Sequence, residues 1–298
     1  VVQKQDLEML TQKFLFLLLM LATSFSQAQV VVKDDRGVKV QLAQPPQRII
    51  SLVPSLTEMV CQLGACERLV ATDRYSNYPE QVRSLPKLGG LDDANAELIL
   101  ALKPDIVLLW NSARIPAQLE SLGLKIIALE PKTLQDVERI LQKIGQLLGG
   151  NGQEQAQLIW KDINTSIDKL AKNLSPSLQA SRVYYEVDSA FYAASEASFV
   201  GQLLTRLGVK NIVPASMGPF PQLNPEYVVR ANPSVIMVNQ HNAQGLEKRP
   251  GWSSIEAIRQ KRVCVFTVDQ SDVLVRPGPR MAQAAGLMVR CLEQGHPS

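Results

Sequence analysis

The chain has 298 residues, 46% of them apolar, a length and composition that suit a globular protein of two ordinary-sized domains. Its 31 lysines and arginines against 28 aspartates and glutamates leave a net charge of only +3. Those basic residues are scattered along the chain rather than clustered, which excludes the electrostatic footprint of a nucleic-acid-binding protein.

The N-terminal segment speaks to compartment. Lys13 precedes an apolar run over residues 14–22, too short to span a bilayer comfortably, and Ser26 and Ala28 form a small-x-small cleavage site ahead of Gln29. The pattern predicts a cleaved secretory signal over 1–28, with residues 1–8 as an extension upstream of a start at Met9. No cysteine follows the apolar run as a lipid anchor requires, so the expectation is a soluble protein exported to a bacterial periplasm.

Residues 30–42 alternate about Asp34-Asp35-Arg36-Gly37 and predict a hairpin. A short apolar strand over 48–53 is followed by a helical run to Leu63, stopped by Gly64, and a second strand over 69–72. Further strands are expected at 105–110 and 125–129, separated by helices at 96–102 and 116–122. Strands alternating with helices at this spacing predict a parallel sheet covered on both faces. An amphipathic helix over 133–148 ends at Gly149-Gly150, and a polar, glutamine-rich helix follows over about 153–174. The alternation resumes with strands at 182–187, 234–238 and 262–267, then a loop over 270–279 and a last helix over 279–292. The reading is an α/β chain of two Rossmann-like lobes joined by one long rigid helix: an N-terminal lobe over 29–150, the joining helix over 151–176, and a C-terminal lobe over 177–298.

The two lobes carry the same signature. Asn95-Ala96-Glu97 opens a helical run to Pro104 and then a buried strand; Asn224-Pro225-Glu226 opens a run to Pro233 and then another. In both copies Asn stands two residues before Glu, and Glu stands seven before Pro. Each glutamate is favoured at a helix start by the macrodipole, by ~0.3–1 kcal/mol, which accounts for either one singly. The matched register of both predicts a clamp that docks through two outward carboxylates on a two-fold partner, although an old duplication retained for folding also produces it.

Aromatic residues cluster where strands end. Trp110 closes one strand, Tyr75 and Tyr78 follow another, Phe191 and Tyr192 follow a third, and Phe220 lies between Pro219 and Pro221. Ligands of open parallel sheets bind beyond the carboxyl ends of the strands, so this set predicts a large flat or apolar ligand held between the lobes; any one of them taken singly is equally a core cap. Asp272 and Arg276, in the expected loop over 270–279, offer hydrogen bonds to ligand amides or phosphates, or a loop ion pair. Four cysteines, Cys61, Cys66, Cys264 and Cys291, permit disulfides after export, and their pairing stays open. His241 follows a strand and is either a ligand contact or an exposed loop residue; His296 lies in the C-terminal tail. No phosphate-binding loop, dinucleotide fingerprint, nucleophile elbow or metal-ligand cluster is present in the sequence.

Residues 48–58 (RIISLVPSLTE), 75–79 (YSNYP) and 97–110 (ELILALKPDIVLLW) resemble the periplasmic cobalamin-binding proteins of vitamin ABC importers, and the likeness continues through Phe220-Pro221-Gln222, Asn224-Pro225-Glu226, Ser271-Asp272 and Arg276. These proteins form part of the helical-backbone class of substrate-binding proteins. The resemblance implies a non-enzymatic receptor, monomeric when free and without a resident cofactor, that holds a corrinoid (cobalamin) between its lobes with little hinge motion. It implies corrin contacts at or near Tyr75, Trp110, Tyr192, Phe220, Asp272 and Arg276. Glu97 and Glu226 match the carboxylates offered to arginines of the membrane permease, which works with its ATPase subunits. Where the cobalamin receptors have a tryptophan ahead of the first docking glutamate, this chain has Leu91. Siderophore- and haem-binding relatives share the framework, so a ferric siderophore or haem receptor, with Tyr75 and Tyr78 as iron or haem ligands, is the competing expectation. A secreted hydrolase is a third, for which the sequence offers no nucleophile–base motif.

Overall fold

A computed structural model describes residues 29–111 and 115–294. The expected signal over 1–28 and the tail bearing His296 lie outside the described residues. Among those described, no helix is long and apolar enough to cross a membrane.

The hairpin forms as expected. Strands β1 (Val30–Lys33) and β2 (Lys39–Leu42) pair antiparallel with Val30 opposite Leu42. Asp34 closes the turn, its Oδ1 accepting from the backbone N–H of Arg36 at 3.0 Å and of Val38 at 2.9 Å.

The N-terminal lobe is built on β3 (Ile49–Ser51), β4 (Leu69–Thr72), β5 (Ile106–Leu109) and β6 (Ile126–Ala128), all parallel, in the order β4-β3-β5-β6. Every residue of β3, β5 and β6 is buried, which is why these strands read as unbroken apolar runs: helices cover both faces of the sheet. In the C-terminal lobe β7 (Arg182–Asp188), β10 (Val235–Asn239) and β11 (Val263–Phe266) pair parallel in the order β11-β10-β7. Two short strands share the other edge of β7: β8 (Tyr192–Ala193), antiparallel, and β9 (Lys210–Asn211), parallel.

The lobes are joined by the helix Gly152–Asn173, whose 22 residues span about 33 Å. It packs along the helix Leu134–Leu148 on one side and the helix Met281–Gln294 on another. Two glycines set the first crossing: a Cβ on Gly145 would lie 2.4 Å from the Gly152 carbonyl oxygen, so only hydrogen side chains let the two backbones approach. The helix Leu134–Leu148 is started by a capping box, in which Thr133 and Asp136 satisfy each other's backbone N–H groups.

All four cysteines are paired. Cys61–Cys66 staples a helix end to the turn after it, and Cys264–Cys291 ties β11 to the last helix. One expectation needs correction: residues 270–275 of the expected loop are helical, and only 276–279 are irregular. Thr267 and Gln270 form a second capping box that starts the helix Val268–Val275, with Arg276 at its C-cap, so Asp272 and Arg276 are one helical turn apart on a rigid element.

Candidate functional site

The carboxyl ends of the strands in both lobes face one cleft. On the N-lobe side the chain leaves β3 through Leu52, Val53, Pro54 and Ser55, leaves β4 through Asp73, Arg74 and Tyr75, and leaves β5 at Trp110; all of these line a chamber of about 490 Å³. The C-lobe closes it with Val268, Asp272, Val275, Arg276 and Pro277 from the helix Val268–Val275 and its C-cap turn. A second chamber of about 620 Å³ shares Trp110, Val275 and Pro277 with the first. Its remaining wall comes from Glu130, Pro131 and Lys132 after β6, from Val187 in β7, and from Phe199, Val200, Pro219 and Phe220. The chambers therefore adjoin along Trp110, Val275 and Pro277 as two parts of one cleft.

Both chambers are mainly apolar with a few charged side chains in their walls: Asp73, Arg74, Asp272 and Arg276 line the first beside Tyr75, Asn77 and Leu91, and Glu130 and Lys132 line the second. Such a cleft suits a ligand that combines a broad apolar surface with polar groups at its periphery.

Local turn chemistry places the first chamber's side chains. Asp73 is buried and its carboxylate accepts from the Tyr75 backbone N–H at 2.9 Å and from the Ser76 hydroxyl, fixing the turn that presents the Tyr75 ring, which is 59% exposed. Burial pushes the Asp73 carboxyl above the ordinary aspartate value; the Ser76 and Tyr75 hydrogen bonds and the charges of Lys87 and Arg276 oppose that shift without cancelling it. Burial likewise lowers the Lys87 ammonium, against the pull of Asp73. Lys87 is held by the Thr72 hydroxyl (2.8 Å) and the carbonyls of Ser76 (2.7 Å) and Val82 (2.9 Å). Arg74 lies over the Tyr75 ring at 5.9 Å and pairs with Asp93.

Of the residues expected at a ligand site, Tyr75, Trp110, Phe220, Asp272 and Arg276 all line the cleft. The polar pair is committed to protein partners: Arg276 bonds Glu58, Asn77 and the Tyr75 carbonyl and pairs with Asp272 at 2.7 Å. Tyr192 lines neither chamber; it sits on the short edge strand β8, bridged to Gln222 beyond the Phe220 loop. Phe191 is turned into the lobe, packing against Trp252 at 6.1 Å and under Arg249 at 4.9 Å. Tyr78 lines neither chamber but an adjoining groove that shares Asn77 and Asp272 with the first, with Arg280 over its ring at 4.3 Å. His241 is an exposed loop residue. Sequence reasoning missed Asp73, Arg74 and the 130–132 turn, which come within a few residues of a strand end, the signal that marks cleft residues in open parallel sheets.

The two matched glutamates lie outside the cleft. Asn95 caps the helix Ala96–Ala101 by accepting from the Leu98 N–H at 3.0 Å, and Asn224 caps Pro225–Ala231 by accepting from the Glu226 N–H at 2.9 Å. Pro225 fills the first helical position of the second copy, where no N–H is needed, and the cap bond there runs to the second helical residue rather than the third. Both carboxylates are exposed, and neither makes an ion pair among the described residues.

A family model described as periplasmic binding protein matches residues 49–269. The vitamin B12-binding protein of Pectobacterium carotovorum is 32% identical over 245 residues, covering 80% of this chain and 86% of its own. An uncharacterised ABC transporter substrate-binding lipoprotein of Bacillus subtilis is 29% identical over 266 residues, covering 85% of this chain and 82% of its own. Among solved structures, a periplasmic haem-binding protein from Roseiflexus sp. RS-1 superposes with a TM-score of 0.72 at 26% identity, covering 84% of this chain and 98% of its own. The family is one of substrate-binding transport proteins, not enzymes.

Proposed function

Because the chain belongs to the periplasmic binding protein family, as the substrate-binding component of an ABC transport system, we propose that its cargo is a corrinoid, cobalamin or a close relative. The cargo is captured in the inter-lobe cleft and handed to the permease, each lobe docking through one glutamate, Glu97 and Glu226. The observation that carries this reading is the cleft itself. Tyr75, Trp110 and Phe220 present aromatic faces from three different turns, around two joined chambers of about 490 and 620 Å³. Joined chambers of that size suit a ligand larger than a drug-sized molecule. A corrin offers a broad macrocycle to the aromatic side chains and peripheral amides to the charged residues of both chambers. The B12-binding relative points the same way. The protein acts as a monomer when free, and the corrinoid is cargo rather than a resident cofactor.

The haem-binding neighbour keeps haem as the second reading. The position of Tyr78 weighs against it, because that ring lies in the groove with Arg280 while Tyr75 lines the chamber, so the two tyrosines do not share a face. Hydrogen–deuterium exchange of the mature protein with and without cyanocobalamin tests the site. Protection is expected at residues 73–77, 218–220 and 272–277 together. Protection confined to one lobe, or absent from all three segments, overturns the assignment.

A further inference from the structure

Behind the first chamber, a group of buried charges crosses from one lobe to the other. Glu58 lies on the N-lobe helix Pro54–Gln62 and is 2% exposed. Two arginines of the C-terminal lobe converge on it. Arg280 donates from Nε to Oε2 at 2.7 Å and from Nη2 to Oε1 at 2.6 Å, and Arg276 donates from Nη1 to Oε1 at 3.1 Å. Arg276 also donates from Nη1 to Asn77 Oδ1 at 2.7 Å and from Nη2 to the Tyr75 carbonyl at 3.0 Å, and its Nη2 pairs with Asp272 at 2.7 Å. Asn77 Nδ2 closes the ring by donating to Asp272 Oδ2 at 2.9 Å. Two cations and two anions balance within the network.

Each terminal nitrogen of Arg276 has two hydrogens and two acceptors, so both are spent on the protein. The guanidinium that lines the ligand chamber is thus a brace between lobes. Its N-lobe partners, the Tyr75 carbonyl and Asn77, belong to the turn that presents the Tyr75 ring. The linking helix supplies one crossing between the lobes; this network supplies another, joining residues 195–222 positions apart in the chain. The lobes also share a buried apolar cluster and the bond from the Leu134 N–H to Gln202 Oε1 at 3.0 Å; the charge network is the crossing that borders the first chamber. Removing one member of the network leaves its partner charge buried and unpaired, which is strongly unfavourable.

We propose that Glu58 is a positioning residue that sets the lobe spacing and the Arg276–Tyr75 alignment, so that the cleft is offered to its ligand already formed. That the cleft is the ligand site rests on the function proposed above; the lobe spacing does not. The benefit is preorganisation: a cleft that does not close on its ligand loses less ordering free energy on binding.

The test places nitroxide labels at Gln118→Cys and Lys248→Cys, exposed positions of the two lobes, in the full mature protein with its native disulfides, and reads the inter-label distance distribution by pulsed electron resonance. The unsubstituted protein should give one narrow population, unchanged by cyanocobalamin. Glu58→Gln should broaden it and weaken cyanocobalamin binding at least tenfold. Glu58→Gln combined with Arg280→Gln, which restores neutrality, should recover part of both losses, a rescue that general destabilisation does not produce. If Glu58→Gln does not fold, Arg280→Gln alone carries the test, with the Glu58–Arg276 pair retained and intermediate broadening expected. A folded Glu58→Gln variant, or failing that Arg280→Gln, with an unchanged narrow distribution overturns the proposal. So does a broadened distribution with unchanged affinity. If the unsubstituted protein does not bind cyanocobalamin, the corrinoid assignment fails while the distance distributions still decide the role of Glu58.

Discussion

Replacing Glu97 and Glu226 by alanine separates docking from ligand capture. Both side chains are exposed and without an ion-pair partner among the described residues, so each removal costs the fold only the macrodipole term, about 0.3–1 kcal/mol. For a protein of this size that is a fall in Tm of roughly 1–4 °C per site. The helices themselves persist, because their caps are Asn95 and Asn224, which the substitutions leave intact. At an interface the same carboxylates would make charge-assisted hydrogen bonds to cations, each worth about 1.5–3 kcal/mol, or roughly ten- to 150-fold in affinity for the permease. The double substitution should therefore abolish uptake of labelled cyanocobalamin in cells while the purified protein binds it with unchanged affinity. Binding of the unsubstituted protein to permease in detergent should weaken as salt rises. Loss of ligand binding with transport otherwise intact, or a fall in stability of several kcal/mol, would refute the separation.

Three further outcomes follow from the same structure. Glu186 is 1% exposed and takes a bidentate ion pair from Arg249 at 2.6 and 2.9 Å, while Arg249 lies 4.6 Å over the Trp252 ring; Glu186→Gln strands that buried cation and should cost about 3–5 kcal/mol in denaturant unfolding. Burial raises the Asp35 carboxyl, but hydrogen bonds from Arg139, the Glu130 backbone and Lys143 outweigh it and hold the group below its ordinary value of 3.8. The folded state then binds fewer protons than the unfolded state just below that pH, so Asp35 contributes stability that is present above 3.8 and lost as pH falls. Asp35→Asn should accordingly show a shallower loss of Tm on acidification, and an unchanged acid limb contradicts this. Phe220 is 49% exposed on the cleft wall, and covering its free half with ligand is worth about 1 kcal/mol, so Phe220→Ala should weaken cyanocobalamin binding roughly fivefold by calorimetry with little change in Tm.

The elements that were legible in the sequence are those whose period and punctuation are local. The buried strands β3, β5 and β10 read as apolar runs, and Gly64, Gly149 and the two Asn caps mark helix ends through their own backbone chemistry. The helix Val268–Val275 was hidden because Ser271-Asp272 and the prolines at 277 and 279 resemble loop residues, although Thr267 and Gln270 already spell a capping box. Direction of side chains was less accessible: strand-end position alone does not separate Trp110, which lines both chambers, from Phe191, which turns inward on a positive φ of 67° to meet Trp252. Glu58 is a buried charge in need of a cation. That its partners stand 218 and 222 residues later is a property of the packed lobes, which no local pattern encodes.

The most direct measurement of cargo is a fluorescence titration of the purified mature protein, following tryptophan emission with Trp110 at the cleft wall, against cyanocobalamin, haem and a ferric hydroxamate in parallel. Saturable quenching by cyanocobalamin at one molecule per chain, corrected for absorption by the corrin, with neither iron ligand saturating, is the predicted result. Saturation by haem or the hydroxamate with none by cyanocobalamin would contradict it.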